Sequence, residues 1–242
     1  MTVSLVTGAG SGIGAATSRI LADRGDQVVC ADLDAGAATA IAAELPDAIA
    51  VDADVTIAEE CDAMVAAAVE RYGRIDALVT CAGIELGGDP LDFDVGSFRR
   101  VIDVNVTGSY LCAQRAARVM RDTGFGGRIV LIGSINSHIA LPGAAAYCAS
   151  KGAVLMLGRS LAVDLAEHGI RVNVIGPGVT DTPMSAVSLA DPDRSEALMS
   201  RVPLRRPADP AEIARAAAWL TSDDSSYVTG AFIPVDGGWL AG

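Results

Sequence analysis

Lysine is nearly absent from this chain: of 18 cationic side chains all but one are arginine, the exception being Lys151. Aromatic residues make up only 4% of the sequence, histidine is confined to His138 and His168, and 30 acids against 18 bases give a formal net charge of −12. Each shortage excludes something. An acidic chain lacks the basic face that nucleic acid or an anionic membrane surface demands, so neither is expected as a partner. Two histidines without H-x-x-x-H spacing or a Cys/His cluster give no support for a metal site. No apolar run is long enough to span a bilayer and no basic leader follows Met1, so a soluble, cytoplasmic protein is expected. Cys30, Cys61, Cys81, Cys112 and Cys148 are odd in number and show no C-x-x-C spacing, which fits reduced thiols in a cytosolic compartment.

The lone lysine stands four residues after a tyrosine in Tyr147-Cys-Ala-Ser-Lys151. Arginine replaces lysine wherever only a charge is needed, but not where a slim three-donor ammonium must fit beside other groups. Residues four apart share one helix face, and a nearby cation lowers a tyrosine pKa from its ordinary value of about 10. Taken alone, the pair reads first as one lysine kept on a helix surface by an arginine-biased composition.

Just over half the residues are apolar, mostly Ala, Val, Leu, Ile and Gly, which suits helices packed closely on a sheet. Strands are expected at 2–7, 27–32, 48–52, 75–80, 128–133, 170–175 and 231–235. Helices are expected after Gly14 to about residue 24 and at about 35–45, 56–72, 97–121, 145–168 and 209–221. This alternation predicts an α/β fold: a doubly wound, seven-stranded parallel sheet with helices on both faces. No Gly/Ser linker or repeat divides the chain, so residues 1–242 are expected to form a single domain. Six prolines between 177 and 210 interrupt a polar, partly helical stretch, and about 181–208 is expected to be a lid over a site.

Gly8-Ala-Gly-Ser-Gly-Ile-Gly14 joins the first strand to the first helix. A turn without side chains lets a pyrophosphate approach a helix N-terminus, where backbone N–H groups and the helix dipole meet its charge. The strict G-x-G-x-x-G pattern fails at Ile13, although Gly10-x-Gly12-x-x-Ala15 fits the looser form. Asp32 closes the second strand about 20 residues on, where a carboxylate accepts hydrogen bonds from an adenosine ribose and repels a 2′-phosphate. Neither Leu33 nor Asp34 supplies a cation for that phosphate, so NAD is favoured over NADP, and Asp34 is the more natural helix N-cap.

These residues, taken with others further along, resemble the short-chain dehydrogenase/reductase family from about Val3 to Gly238. Thr7-Gly8-x-x-x-Gly12-x-Gly14 matches the family's cofactor turn, Asp54-Val55 its adenine contact, and Asn105 its helix-interrupting asparagine. Ser134, thirteen residues before Tyr147, joins Tyr147 and Lys151 to complete its tetrad. Asn173-x-x-x-Pro177-Gly178, with Thr180 and Thr182, matches the loop at the nicotinamide, and Val235-Asp236-Gly237-Gly238 the C-terminal signature. The resemblance implies a single-domain Rossmann fold, a homotetramer built on paired long helices, and NAD bound by Gly8, Ser11, Gly12, Ile13, Gly14, Asp32, Leu33, Asp54, Val55, Cys81, Ala82, Gly83, Asn105, Tyr147, Lys151, Pro177, Gly178, Thr180 and Thr182. One departure stands out: the family's Asn-Asn-Ala-Gly is here Thr80-Cys81-Ala82-Gly83, in which Thr80 can still donate a hydrogen bond and Cys81 is a weak partner.

The implied chemistry is oxidation of a secondary alcohol, or reduction of its ketone, with Tyr147 as general acid/base and Lys151 lowering its pKa while holding the nicotinamide ribose. Ser134 would bond the substrate oxygen, and Asn105 would hold a proton-relay water. Glu85, Asn136 and His138 follow the fourth and fifth strands and are candidate substrate contacts, suited to a sugar or polyol more than to a steroid. Two rivals remain at this point: an NADPH-dependent 3-ketoacyl reductase of the same fold, and a non-catalytic NAD-binding regulator.

Overall fold

The computed structural model describes residues 1–242. Seven strands form one parallel sheet: β1 (Val3–Thr7), β2 (Gln27–Asp32), β3 (Ala48–Asp52), β4 (Ala77–Thr80), β5 (Gly127–Ile132), β6 (Ile170–Pro177) and β7 (Phe232–Val235). Their order across the sheet is β3-β2-β1-β4-β5-β6-β7. The chain therefore reverses its direction of travel between β1 and β4, and at such a switch point the connections diverge and leave a crevice beyond the strands' carboxyl ends.

Alternation of side chains along each strand separates two cores. Leu5, Val29, Leu78, Ile129, Leu131 and Val172 face one cluster. Their neighbours Val6, Val28, Val79, Val130 and Ile175 face the other. The first core is closed by α3 (Ala58–Tyr72), α5 (Ser109–Thr123) and α6 (Ala145–Leu165), the second by α1 (Gly12–Asp23), α2 (Ala35–Glu44) and α9 (Pro210–Leu220). Small residues allow the helices to lie close: a Cβ on Gly158 of α6 would stand 2.4 Å from Val174 Cγ2.

The element starts and stops follow local chemistry. Asp34 caps α2 by accepting from the Ala37 N–H at 3.0 Å, as the sequence led us to expect. Asp209 and Glu212 form a reciprocal capping box at α9, with Pro210 at its first turn. The stretch read as one helix over 97–121 is in fact broken: α4 (Val95–Ile102) passes into a π-helical turn over Asp103–Gly108 before α5 begins. The polar stretch after β6 contains two short helices, α7 (Ala186–Ala190) and α8 (Pro192–Ser200). Ile135, Val202 and Trp239 form a third, small core, against which Leu198 and Met199 of α8 pack.

Candidate active site

The crevice at the switch point is a cleft of about 880 Å³, lined by Gly8, Ser11 to Gly14, Asp32, Leu33, Asp54, Val55 and Cys81 to Gly83 among others. Cofactor sites commonly have this scale. Its floor cannot carry side chains. A Cβ on Gly8, whose φ is +65°, would lie 2.6 Å from the Ala82 nitrogen, and one on Gly14 would lie 1.9 Å from the Gly8 carbonyl oxygen. The N-cap of α1, Ser11, makes no side-chain cap bond, and the first turn holds no acid. Its orphan N–H groups thus remain free for an anion, at the positive end of the helix dipole.

Asp32 is fixed at the cleft wall. Oδ2 accepts the Gly10 N–H at 2.8 Å and Oδ1 the Asp34 N–H at 2.9 Å, while each oxygen keeps a further lone pair for an incoming hydroxyl. Asp54 Oδ1 accepts from both the backbone and the hydroxyl of Thr56. Val55 packs against Gly108 in the π turn, where a Cβ would come within 2.6 Å of its Cγ2. A bare floor, an uncapped helix terminus and an oriented carboxylate are a donor set that fits a dinucleotide.

Gly83 leads from this cleft to Lys151. A Cβ on Gly83 would stand 3.2 Å from Asn105 Oδ1 and 3.7 Å from Lys151 Nζ. Asn105, 1% exposed in the π turn, uses its whole amide. Oδ1 accepts the Ile84 N–H at 2.8 Å, while Nδ2 donates to the Ile84 carbonyl and to Ser150 Oγ, both at 2.9 Å. Lys151, 6% exposed, donates to the Ile132 carbonyl at 2.8 Å, and Nζ lies 5.5 Å from the centre of the Tyr147 ring. At the end of β5, Ser134 Oγ accepts the Asn136 N–H at 3.1 Å. The Ser137 hydroxyl ties that turn to α6 through the Lys151 carbonyl at 2.8 Å.

Electrostatics correct one expectation. Within the protein alone the phenol is not made acidic by Lys151: burial first, then the charge of Glu85, push the Tyr147 pKa well up, and the Ser134 hydroxyl only partly opposes them. The ammonium is turned toward the Ile132 carbonyl instead, and burial lowers its own pKa to about 8. Burial likewise raises the Cys81 thiol to about 12. A desolvated site disfavours every charge placed in it.

Thr80 gives a second correction. Its hydroxyl was expected to donate a hydrogen bond, yet the residue is 3% exposed and its Oγ1 has no partner. A threonine side chain is shorter than the asparagine it stands for, and here the hydroxyl ends before any acceptor.

Of the substrate candidates, Asn136 is buried and joined to the site, with Oδ1 at 3.3 Å from Ser134 Oγ and Nδ2 at 3.2 Å from Cys148 Sγ. Glu85 lies on the loop after β4, and its carboxyl pKa is raised by burial although the residue is exposed overall. His138 is exposed, and its ring sits edge-on to Phe232 of β7 at 4.5 Å.

After β6, Gly178 passes tightly by Asp236, Thr180 pairs with Ala208, and Thr182 lies against Gly12 of the glycine turn. Thr182, Pro183 and Met184 thereby form part of the cleft wall. The arginines of this stretch are engaged: Arg194 with Asp191, Arg206 with Glu212, Arg205 with the last carbonyls of α8, and Arg201 over the Trp239 ring. Sequence reasoning missed the wall contributed by Arg99, Arg100, Asp103, Val104 and Thr107. Asn105 was the only signal there, and it did not show how far α4 leans over the cleft.

Residues 8–240 match a family model described as enoyl-(acyl carrier protein) reductase. The chain is similar to cis-4-hydroxycyclohexanecarboxylate dehydrogenase of Sinomonas cyclohexanicum, with 43% identity over 99% of this chain and 96% of that protein. It is 39% identical to 3beta-hydroxysteroid dehydrogenase 1 of Eggerthella lenta, over 97% and 92% respectively. A solved short-chain type dehydrogenase/reductase from Mycobacterium marinum matches with a TM-score of 0.95 and 37% identity, covering 100% of this chain and 96% of that one.

Proposed function

Because the chain belongs to the short-chain dehydrogenase/reductase family, we propose that its cleft binds NAD and that Tyr147 moves the proton in the interconversion of a secondary alcohol and a ketone. The protein is an oxidoreductase acting on CH–OH groups. The observation that carries the assignment of residues is the convergence of Ser134, Tyr147 and Lys151 where the cleft ends at Gly83.

When bound, the nicotinamide supplies the hydride acceptor or donor. In oxidation Tyr147, as phenolate, takes the proton from the alcohol oxygen; in reduction the neutral phenol gives it back. Burial keeps Tyr147 neutral in the protein alone, which suits the acid role directly and makes oxidation the direction that gains with rising pH. Ser134 accepts from the Asn136 N–H and, in the protein alone, donates to Asn136 Oδ1 at 3.3 Å, a long hydrogen bond that a substrate oxygen would replace. Lys151 holds the ribose and adds positive charge beside the phenol. Asn105 acts as a positioning residue, since its amide joins the β4 loop to α6.

The oriented Asp32 carboxylate favours NAD: it can accept from ribose hydroxyls and would repel a 2′-phosphate. A ring-borne secondary alcohol with further hydroxyls, a sugar or polyol, is the substrate class we favour. The 181–208 stretch, which abuts the glycine turn through Thr182, serves as its lid. The chain works in the cytoplasm as a homotetramer in this reading.

Steady-state rates with NAD and NADP, and with the Asp32→Ala and Tyr147→Phe variants, test the proposal. NAD should be preferred and the preference lost in Asp32→Ala, while Tyr147→Phe should lose roughly 10²–10⁴-fold in kcat. A wild type that prefers NADP overturns the cofactor assignment. Undiminished turnover in Tyr147→Phe overturns the proton carrier, and tight NAD binding without turnover of any alcohol favours a regulator instead.

A further inference from the structure

The loop after β4 runs alongside the N-terminal part of the helix that carries Tyr147 and Lys151. At its start, Gly83 approaches Lys151 Nζ so closely that a Cβ there would lie 3.7 Å away. At its far end, the Gly88 N–H donates to the Gly143 carbonyl at 2.9 Å, just before α6 begins. Between these points, both backbone groups of Ile84 are held by the Asn105 amide. The loop thus runs from Lys151 back toward Gly143, and Tyr147 lies midway along that course. Glu85 lies on the same course, next to the clamped Ile84.

We propose that Glu85 is a specificity-determining residue, a carboxylate facing the reaction site that accepts a hydrogen bond from a second hydroxyl on the substrate and turns away substrates bearing a carboxylate. The inference rests on the dehydrogenase reading above and names the substrate class for that site. A carboxylate without a partner is an acceptor only, so it matches a donor hydroxyl and not another acid. The charge of Glu85 is felt at both Tyr147 and Lys151: it adds to the upward push of burial on the phenol and partly opposes the lowering of the ammonium by burial, and no side chain neutralises Glu85 by a hydrogen bond. A site whose polar group must be paired discriminates against analogues that lack the pairing hydroxyl.

Three ring alcohols separate the possibilities: cyclohexanol, cis-1,2-cyclohexanediol and cis-4-hydroxycyclohexanecarboxylate, each assayed by NADH formation with wild type, Glu85→Gln and Glu85→Ala. In the wild type, kcat/KM for the diol should exceed that for cyclohexanol by about 10-fold or more, through KM. Both variants should lose this preference and gain about 10-fold on the acid. Because no hydrogen bond holds Glu85, the variants should keep the wild-type Tm and NAD affinity. Identical substrate preferences in the three proteins overturn the inference. So does an equal fall in kcat on all three alcohols, which would mark a merely structural residue. In both of those outcomes continued turnover of cyclohexanol leaves the dehydrogenase reading standing, whereas no NADH from any alcohol with the wild type overturns that reading and this inference with it.

Discussion

Burial draws the Lys151 pKa from 10.5 to about 8, so between those values the folded chain has released a proton that the unfolded chain still holds. Stability must then rise with pH across that interval, and the cost of burying the ammonium is fully felt below about 8. Lys151→Met should therefore stabilise the cofactor-free protein at pH 7 by about 1–3 kcal/mol, even after the Ile132 carbonyl loses its donor. Urea denaturation at pH 7 and near pH 10 checks this, because the gain should shrink at the higher pH; a loss of stability at both would refute it. Thr80→Val is the companion case. It removes a buried hydroxyl that has no partner, at nearly constant shape, and should stabilise by about 1 kcal/mol in the same assay. Neither effect was legible in the sequence. The pair Tyr147 and Lys151 could be picked out by spacing, but the sign of the tyrosine shift depends on how much protein surrounds it, which spacing does not encode.

Among the elements, the strand–turn–helix unit at the N-terminus was the most legible, because its positive φ at Gly8 and Gly12 demands glycine locally. The break between α4 and α5 was marked only through the resemblance, which makes Asn105 a helix-interrupting asparagine; nothing else within 97–121 signals where the wider turn falls. What stabilises that turn comes from about twenty residues away: the backbone of Ile84. Asn105→Ala leaves those two backbone groups and Ser150 without their partner, and should cost about 2 kcal/mol of stability. Activity should fall as the loop beside Lys151 loosens. Urea midpoints and kcat/KM measured together check this, and an unchanged midpoint would show that the amide does not hold the loop.

For the molecule as a whole, the alternation of apolar strands with helices was enough to predict one parallel sheet, and the sheet order then places the cleft between the connections of β1 and β4. That much follows from periodicity and from the way parallel strands must be connected. The cleft's outer wall was beyond reach because Arg99, Arg100 and Thr107 arrive there through the packing of α4 and the π turn, with no motif to mark them. His138, expected after β5 as a substrate contact, is exposed with its ring edge-on to Phe232 of β7, a partner that its place in the sequence does not reveal.

With the only lysine enclosed, the exterior offers no side-chain target to reagents that acylate amines. Crosslinking or resin coupling through lysine would find almost nothing to attach to, and a protease that cuts after lysine would meet a single bond, held inside a helix. Side-chain coupling to this protein is better directed at its abundant carboxylates than at lysine.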